Sequence, residues 1–181
     1  PRYAMARDIL KTLKSEHNVL RELFKQMEDT TDRAEKGRAE LLTKIEMNLM
    51  PHAKWEEQVF YPAFKERADR DGLKTLAEAL LEHATVEETV IPNVKGAELT
   101  TPEFAGRMKV FGELVDHHAK EEESTMFKMA REMFSAAELA QFDVDYEAWK
   151  NSPAAANALA GSKLKTGVQG IVKKVSDKLS A

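Results

Sequence analysis

The chain has 181 residues, of which 43% are apolar and 32% charged, so it suits one soluble domain with an extension and is short for two domains. It contains no cysteine, which excludes disulfides, iron–sulfur clusters and thiolate-bound zinc. The net charge of -4 gives no general reason to bind nucleic acid. The start of the sequence does not resemble a secretory signal, and no apolar run approaches the roughly 18 residues of a transmembrane helix. We therefore expect a cytoplasmic protein.

Apolar residues recur at three- and four-residue steps in four successive segments, a pattern typical of amphipathic helices that pack in a bundle. Gly37, residues 69–72 and Gly96 mark short breaks between these segments. Thr101 followed by Pro102 predicts the start of the fourth helix. Because short connections favour antiparallel neighbours, we expect an all-α fold, an up-down-up-down four-helix bundle.

The second predicted helix contains two prolines. Pro51 immediately precedes His52, and Pro62 falls near the end of the helix. Proline cannot donate a backbone hydrogen bond and clashes with the preceding turn. We therefore expect a kink or local unwinding close to His52.

Two further segments follow the bundle. Ser135-Ala-Ala-Glu138 predicts a capping box that opens a short fifth helix toward Trp149. Residues 151–156 resemble a linker, and residues 164–179 combine an apolar stripe with five nearby lysines, which predicts a basic amphipathic tail. We expect residues 1–150 to form the bundle with its fifth helix and residues 151–181 to form the linker and tail. The tail is either a surface helix or a contact for a membrane surface or partner.

Four of the five histidines follow a double register. The separation of His17 from His52 equals that of His83 from His118, so the second pair repeats the first after a constant interval. We call the separation from His17 to His83 the repeat interval. A glutamate follows four residues after three of these histidines, which places it one turn along the same helical face. The seven candidate metal ligands are His17, His52, Glu56, His83, Glu87, His118 and Glu122.

These polar residues occupy positions in the helical stripes where core hydrophobes are expected. Burying a carboxylate or imidazole is costly unless it is paired or bound to a metal. Nitrogen and oxygen ligands suit iron, manganese or zinc. Seven ligands are too many for one tetrahedral zinc, whereas two metals linked by carboxylates would use them all.

Some residues near the motif have simpler interpretations. A lone histidine in a stripe is usually a hydrogen-bonded core residue, and only the repeat favours ligation. His117 also has a glutamate four residues later, but it lies about 100° from the stripe, so we assign it to the helix flank. Glu57, Glu121 and Glu123 are interpreted as solvated flank residues, and Tyr61 as part of an aromatic wall or a hydrogen-bond donor near a bound ligand. Glu87 is alternatively a hydrogen-bond acceptor behind the ligands.

The motifs resemble those of the hemerythrin family, in the bacterial form called the HHE cation-binding domain. The resemblance runs from Asp8 to Met133 and rests on Glu16-His17, residues 52–62, Glu82-His83 and residues 118–127. Ferritin-like di-iron bundles use Glu-x-x-His instead. No glutamate stands three residues before any of the four histidines, which disfavours that class.

The resemblance implies two iron ions joined by an oxo or hydroxo group. One iron would be held by His17 and His52 and the other by His83, Glu87 and His118, with Glu56 and Glu122 spanning both. The iron with fewer protein ligands would keep an open position for dioxygen, peroxide or nitric oxide.

The sequence departs from oxygen-carrying hemerythrins at two positions. Glu87 stands where that family has a histidine, and Glu122 replaces an aspartate one residue further on. An additional anionic ligand should lower the reduction potential, which disfavours reversible oxygen carriage. The resemblance therefore implies a non-haem di-iron protein that binds or reduces dioxygen or peroxide, including disproportionation of hydrogen peroxide. The alternative is a storage or sensing module for iron, oxygen or nitric oxide that performs no turnover.

Overall fold

In the computed structural model, which describes residues 7–161, six helices and no strands are found in that range. Helix α1 spans Ile9–Glu28 and α5 spans Ala136–Lys150, while α6 covers residues 153–161. The other three helices each join two α-helical segments through a π-helical turn: α2 (Glu35–Trp55, Glu56–Phe60, Tyr61–Arg67), α3 (Arg70–Thr85, Val86–Val90, Ile91–Lys95) and α4 (Pro102–Glu121, Glu122–Met126, Phe127–Met133). The all-α bundle with its short fifth helix is confirmed, and the tail lies outside the described residues.

Side-chain caps define where the helices begin. Asp8, Asp69 and Thr101 each accept a hydrogen bond from a backbone N–H in the first turn of the following helix. Ser135 and Glu138 form the expected capping box at the start of α5. The linker expected at residues 151–156 stays a prediction; helix α6 begins within it at residue 153, because the Ser152 hydroxyl caps an alanine-rich segment.

The π-helical turns of α2, α3 and α4 lie next to the candidate ligands in each helix. In α2 and α3, Pro62 and Pro92 are the second residue after the turn. A proline there has no N–H for the carbonyl four residues earlier, so the wider turn relieves the mismatch. The local unwinding expected in this helix takes the form of the π-helical turn Glu56–Phe60, which follows His52, whereas Pro51 lies inside an uninterrupted α-helical segment.

The core consists of two apolar clusters, one at each end of the bundle. One contains Trp55, Phe60 and Phe64, and the other contains Ile45 and Phe111, all with no exposed surface. Fully burying such a side chain stabilises the fold by roughly 1.5–3 kcal/mol relative to exposure. The candidate ligands lie between the clusters along the sequence of each helix, so apolar layers surround them above and below. None of the described helices is long and apolar enough to cross a membrane.

Candidate metal centre

The four histidines of the repeat meet in pairs inside the bundle. The Nε2 atoms of His17 and His52 are 3.2 Å apart, and those of His83 and His118 are 3.0 Å apart. His118 has the most exposed side chain of the four, at 12%. His117 lies on the flank as expected, with 62% of its side chain exposed. Each pair therefore directs two ring nitrogens toward one point.

Two buried glutamates connect the histidine pairs. Glu56 Oε1 lies 3.1 Å from His52 Nε2, and its other oxygen lies 3.5 Å from His83 Nε2. Glu122 Oε2 lies 3.3 Å from His17 Nε2 and 3.6 Å from that of His118. Both glutamates thus span the two pairs. The first residue of a π-helical turn is Glu56 in α2 and Glu122 in α4.

A ring of glutamates surrounds the histidines, which we call the outer glutamates: Glu16, Glu57, Glu82 and Glu123. Each accepts a hydrogen bond from the Nδ1 of one histidine, at 2.7–3.1 Å, in the pairs Glu16–His52, Glu57–His83, Glu82–His118 and Glu123–His17. This arrangement is typical of metal-bound histidines, because it fixes ring orientation and leaves Nε2 free to bind.

The outer glutamates correct the interpretation of Glu57 and Glu123 as solvated residues. Each stands directly after a glutamate of the His-x-x-x-Glu motif, and the two are separated by one repeat interval. Glu16 and Glu82, each directly before a histidine, show the same separation. The repeat interval is therefore a usable signal for all four, although the sequence interpretation applied it only to the ligands.

The centre is rich in acceptors that have no donors. With each histidine neutral and its proton on Nδ1, both oxygens of Glu56 and Oε2 of Glu122 are buried without a hydrogen-bond donor among the described residues. The nearby Nε2 atoms carry lone pairs if Nδ1 holds the proton, so lone pairs and carboxylates face each other. Leaving such charges buried and uncompensated is strongly unfavourable, whereas a cation would satisfy them.

The donor atoms form two groups that fit metal ions. His17, His52, Glu56 and Glu122 make a group of four, and Glu56 also belongs to a group of three with His83 and His118, with donor atoms in each group within 4.8 Å of one another. Imidazole and carboxylate donors suit iron, manganese or zinc. The residues present therefore fit two cations that share Glu56.

Protons would take the place of a cation in the metal-free protein. Burial lowers the pKa of His52, but the carboxylates of Glu56 and Glu16 outweigh burial and raise this pKa well above its usual value. The pKa of His118 is likewise raised, since Glu122 and Glu82 outweigh burial. Burial raises the pKa of Glu122, but the surrounding histidines outweigh it and lower this pKa. A metal must therefore displace protons when it binds.

Tyr61 distinguishes the two histidine pairs. Its buried hydroxyl donates to Glu122 Oε1 at 2.7 Å and lies 3.2 Å from His83 Nε2 and 3.5 Å from that of His118. Burial, together with the carboxylates of Glu122 and Glu56, raises the pKa of Tyr61 and keeps the phenol protonated. One repeat interval later stands Phe127, whose ring is stacked on His17 with centroids 6.0 Å apart. Of the two pairs, the His83–His118 pair alone has a hydroxyl at this position.

Glu87 belongs to neither group of donor atoms. Its carboxylate accepts from the ammonium of Lys54, which also donates to Glu57 at 2.9 Å. The π-helical turn of α3 begins at Val86, so Glu87 is its second residue, whereas Glu56 and Glu122 are first in theirs. The structure thus brings six of the seven candidate ligands together and places Glu87 beside a lysine.

A cavity of about 40 Å³ lies against all four histidines. Since one water needs on the order of 10–15 Å³ of such space, this volume suits a molecule of two or three heavy atoms. Its apolar walls come from all four bundle helices and include Leu20, Leu49, Met50, Ala53, Val86, Ile91 and Val115. Glu87 and Glu57 also border it.

Comparisons with known proteins agree with this geometry. A family model described as Hemerythrin HHE cation binding domain matches residues 8–130. A solved structure of a hemerythrin HHE cation binding domain-containing protein from Mycobacterium kansasii has a similar fold, with a TM-score of 0.72 and 22% identity, covering 90% of this chain and 96% of that chain.

A curated DNA nickase from Nostoc sp. (strain PCC 7120 / SAG 25.82 / UTEX 2576) is 24% identical over 144 residues, or 80% of this chain. This chain spans 39% of the length of that relative. Helix α5 lies beyond the residues that the family model matches.

Proposed function

Since this chain belongs to the hemerythrin HHE cation-binding family and is therefore a metal-binding module, we propose that it holds two iron ions and uses them to bind or reduce dioxygen or peroxide. The observation that carries this proposal is the centre of buried acceptors without donors. His17, His52, Glu56 and Glu122 would hold one iron, and Glu56, His83 and His118 the other. Iron, when bound, supplies redox equivalents and coordination positions for a small ligand.

The ligand would enter at the His83–His118 position. Family resemblance implies an open position at the His17–His52 iron, on the assumption that Glu87 adds a ligand to the other. With Glu87 paired to Lys54, the His83–His118 group has three members against four, because Glu122, although 3.6 Å from His118 Nε2, groups with the His17–His52 pair. The Tyr61 hydroxyl beside it is a buried donor that can give a hydrogen bond or a proton to a bound small molecule.

The surroundings suit small apolar or weakly polar ligands. The cavity walls are largely apolar, and the outer glutamates hold the histidine rings. The cavity volume of about 40 Å³ favours a diatomic or triatomic ligand. DNA cleavage is not proposed, because the chain spans 39% of the nickase relative and its net charge of -4 offers no general attraction for DNA.

The test is expression of the full chain with iron supplied, followed by elemental analysis, absorption spectroscopy and a hydrogen peroxide consumption assay. We expect about two irons per chain, absorption bands of an oxo-linked ferric pair, and peroxide turnover. Two irons without turnover would favour the storage or sensing alternative. A single tetrahedral zinc under these conditions would overturn the di-iron proposal.

A further inference from the structure

Helix α5 reaches the metal centre although it lies outside the residues matched by the family model. The Tyr146 hydroxyl donates its one hydrogen to the Glu16 carboxylate, whose Oε1 and Oε2 lie 3.0 and 2.8 Å away, and Lys150 Nζ lies 3.3 Å from Oε1. Glu16 Oε2 in turn accepts from His52 Nδ1 at 3.1 Å. A continuous set of contacts therefore connects α5 to one of the candidate ligands.

The position of Tyr146 is fixed by packing. Its side chain is buried, and its ring centroid lies 4.8 Å from that of Trp55. Lys150 Nζ lies 4.1 Å above the same tyrosine ring. Helix α5 is also attached to α1, because the buried carboxylate of Asp143 accepts from the hydroxyl of Thr12.

The equivalent glutamate in the other half has a weaker environment. Glu82, one repeat interval after Glu16, binds His118 Nδ1 but has only the exposed ring of His117 beside it, at 3.3 Å. No phenol or ammonium group is recorded next to Glu82 among the described residues. Glu16 is therefore held by more partners than its equivalent Glu82.

We propose that Tyr146 and Lys150 are positioning residues of the metal centre, which act on His52 through Glu16. This inference rests on the proposed di-iron function. The Glu16 side chain is 22% exposed and can turn toward water if its partners on α5 are removed. Held in place, it keeps the His52 ring oriented with Nε2 toward the metal. Helix α5 thereby strengthens metal binding at the His17–His52 position.

The test is an anaerobic titration of the full chain with ferrous iron against a chromophoric chelator. Tyr146→Phe keeps the ring and removes the hydroxyl. We expect the affinity for one of the two equivalents of iron to fall about tenfold, the lower end of the effect of losing an outer-shell partner, with the other equivalent unchanged. Lys150→Met should act in the same direction and less strongly. The control is Trp149→Phe, which removes a different hydrogen bond of α5, from the Trp149 indole N–H to Gln58 of α2. It should leave both iron affinities unchanged.

A double mutant separates this role from a general contribution to folding. In a Glu16→Ala background, Tyr146→Phe should have no further effect on iron affinity, because the group through which it acts is missing. An equal effect in both backgrounds, an equal loss at both equivalents, or no loss at all would overturn the inference. If the parent protein itself fails to bind two irons, the proposed function fails instead, so the two failures are distinguishable.

Discussion

The two halves of the metal centre share their ligand positions and differ in what surrounds them. Each half has a histidine pair, a spanning glutamate and two outer glutamates, and all of these recur after one repeat interval. The surroundings differ at three places: Tyr61 against Phe127, Glu87 against Arg21, and the pair Tyr146 and Lys150 against His117. The repeat thus explains where metals would bind, and the departures from it predict that the two metals are chemically unequal.

The largest effect should come from replacing a candidate metal ligand that has an equivalent in the other half. His118→Ala should release iron and lower the unfolding free energy of the iron-loaded protein by about 3 kcal/mol or more, since it leaves carboxylates buried without a cation. Iron content and thermal unfolding measure this. The neighbouring His117→Ala is the matched control and should retain both irons, because its side chain is 62% exposed. The reverse behaviour of the two variants would show that the register of α4 is wrong.

The next effect concerns Tyr61, which only one half possesses. Tyr61→Phe should keep two irons and slow peroxide consumption about a hundredfold, because a buried proton donor beside the His83–His118 position is lost. When Phe127→Tyr is added to Tyr61→Phe, peroxide turnover should not be restored, since the new hydroxyl would lie beside His17 in the other half. Equal rates in the parent and Tyr61→Phe would remove the assigned role.

A smaller effect is the pH dependence of metal binding. In the metal-free protein the raised pKa values of His52 and His118 stabilise the fold below the ordinary histidine value of about 6.5, and this stability is lost as pH rises through the raised values. The lowered pKa of Glu122 affects the stability of the fold only in acid, where this carboxylate takes up a proton. Because bound metal displaces the histidine protons, the difference in Tm between the loaded and metal-free forms should widen as the pH rises above about 6.5 and through the raised histidine pKa values. A constant difference would contradict protonated histidines in the metal-free centre.

The smallest effect is expected at Glu87. Its carboxylate binds Lys54, so Glu87→Gln and Glu87→His should leave two irons and the absorption spectrum of the ferric form unchanged. Lys54→Met removes the same ion pair without changing Glu87 itself. It also takes a partner from Glu57, so it should leave two irons bound and affect only the iron near His83. A change of spectrum in both Glu87 variants and not in Lys54→Met would show that Glu87 binds the metal after all.

The repeat makes much of the site predictable from sequence. Four histidines, Glu56 and Glu122 come together because each lies on the buried stripe of its helix, and a periodic pattern is visible without coordinates. Glu87 obeys the same spacing but has Lys54 within reach, and it is the second residue of its π-helical turn, whereas Glu56 and Glu122 are the first of theirs. The spacing of residues along one helix shows neither an ion pair with another helix nor the residue at which a π-helical turn begins.

Contacts between residues that are far apart in the sequence cannot be predicted from local patterns of this kind. Tyr146 and Lys150 meet Glu16 from 130 residues or more along the chain, and no motif connects them. The helical fold itself is predictable, because caps at Thr101 and Ser135 and the apolar stripes are local signals. Asn151 and Pro153 suggest a loop, yet Ser152 caps a helix over residues 153–161. The boundary proposed at residue 150 stays a prediction.

The central claim is that two irons occupy unequal positions in one buried centre. Mössbauer spectroscopy of the full chain loaded with iron-57 tests it most directly, because each chemically distinct iron gives its own quadrupole doublet. The account predicts two doublets of equal area at about two irons per chain, because one position has Tyr61 beside it and the other has four protein donors. A single doublet, or one iron per chain, would contradict it.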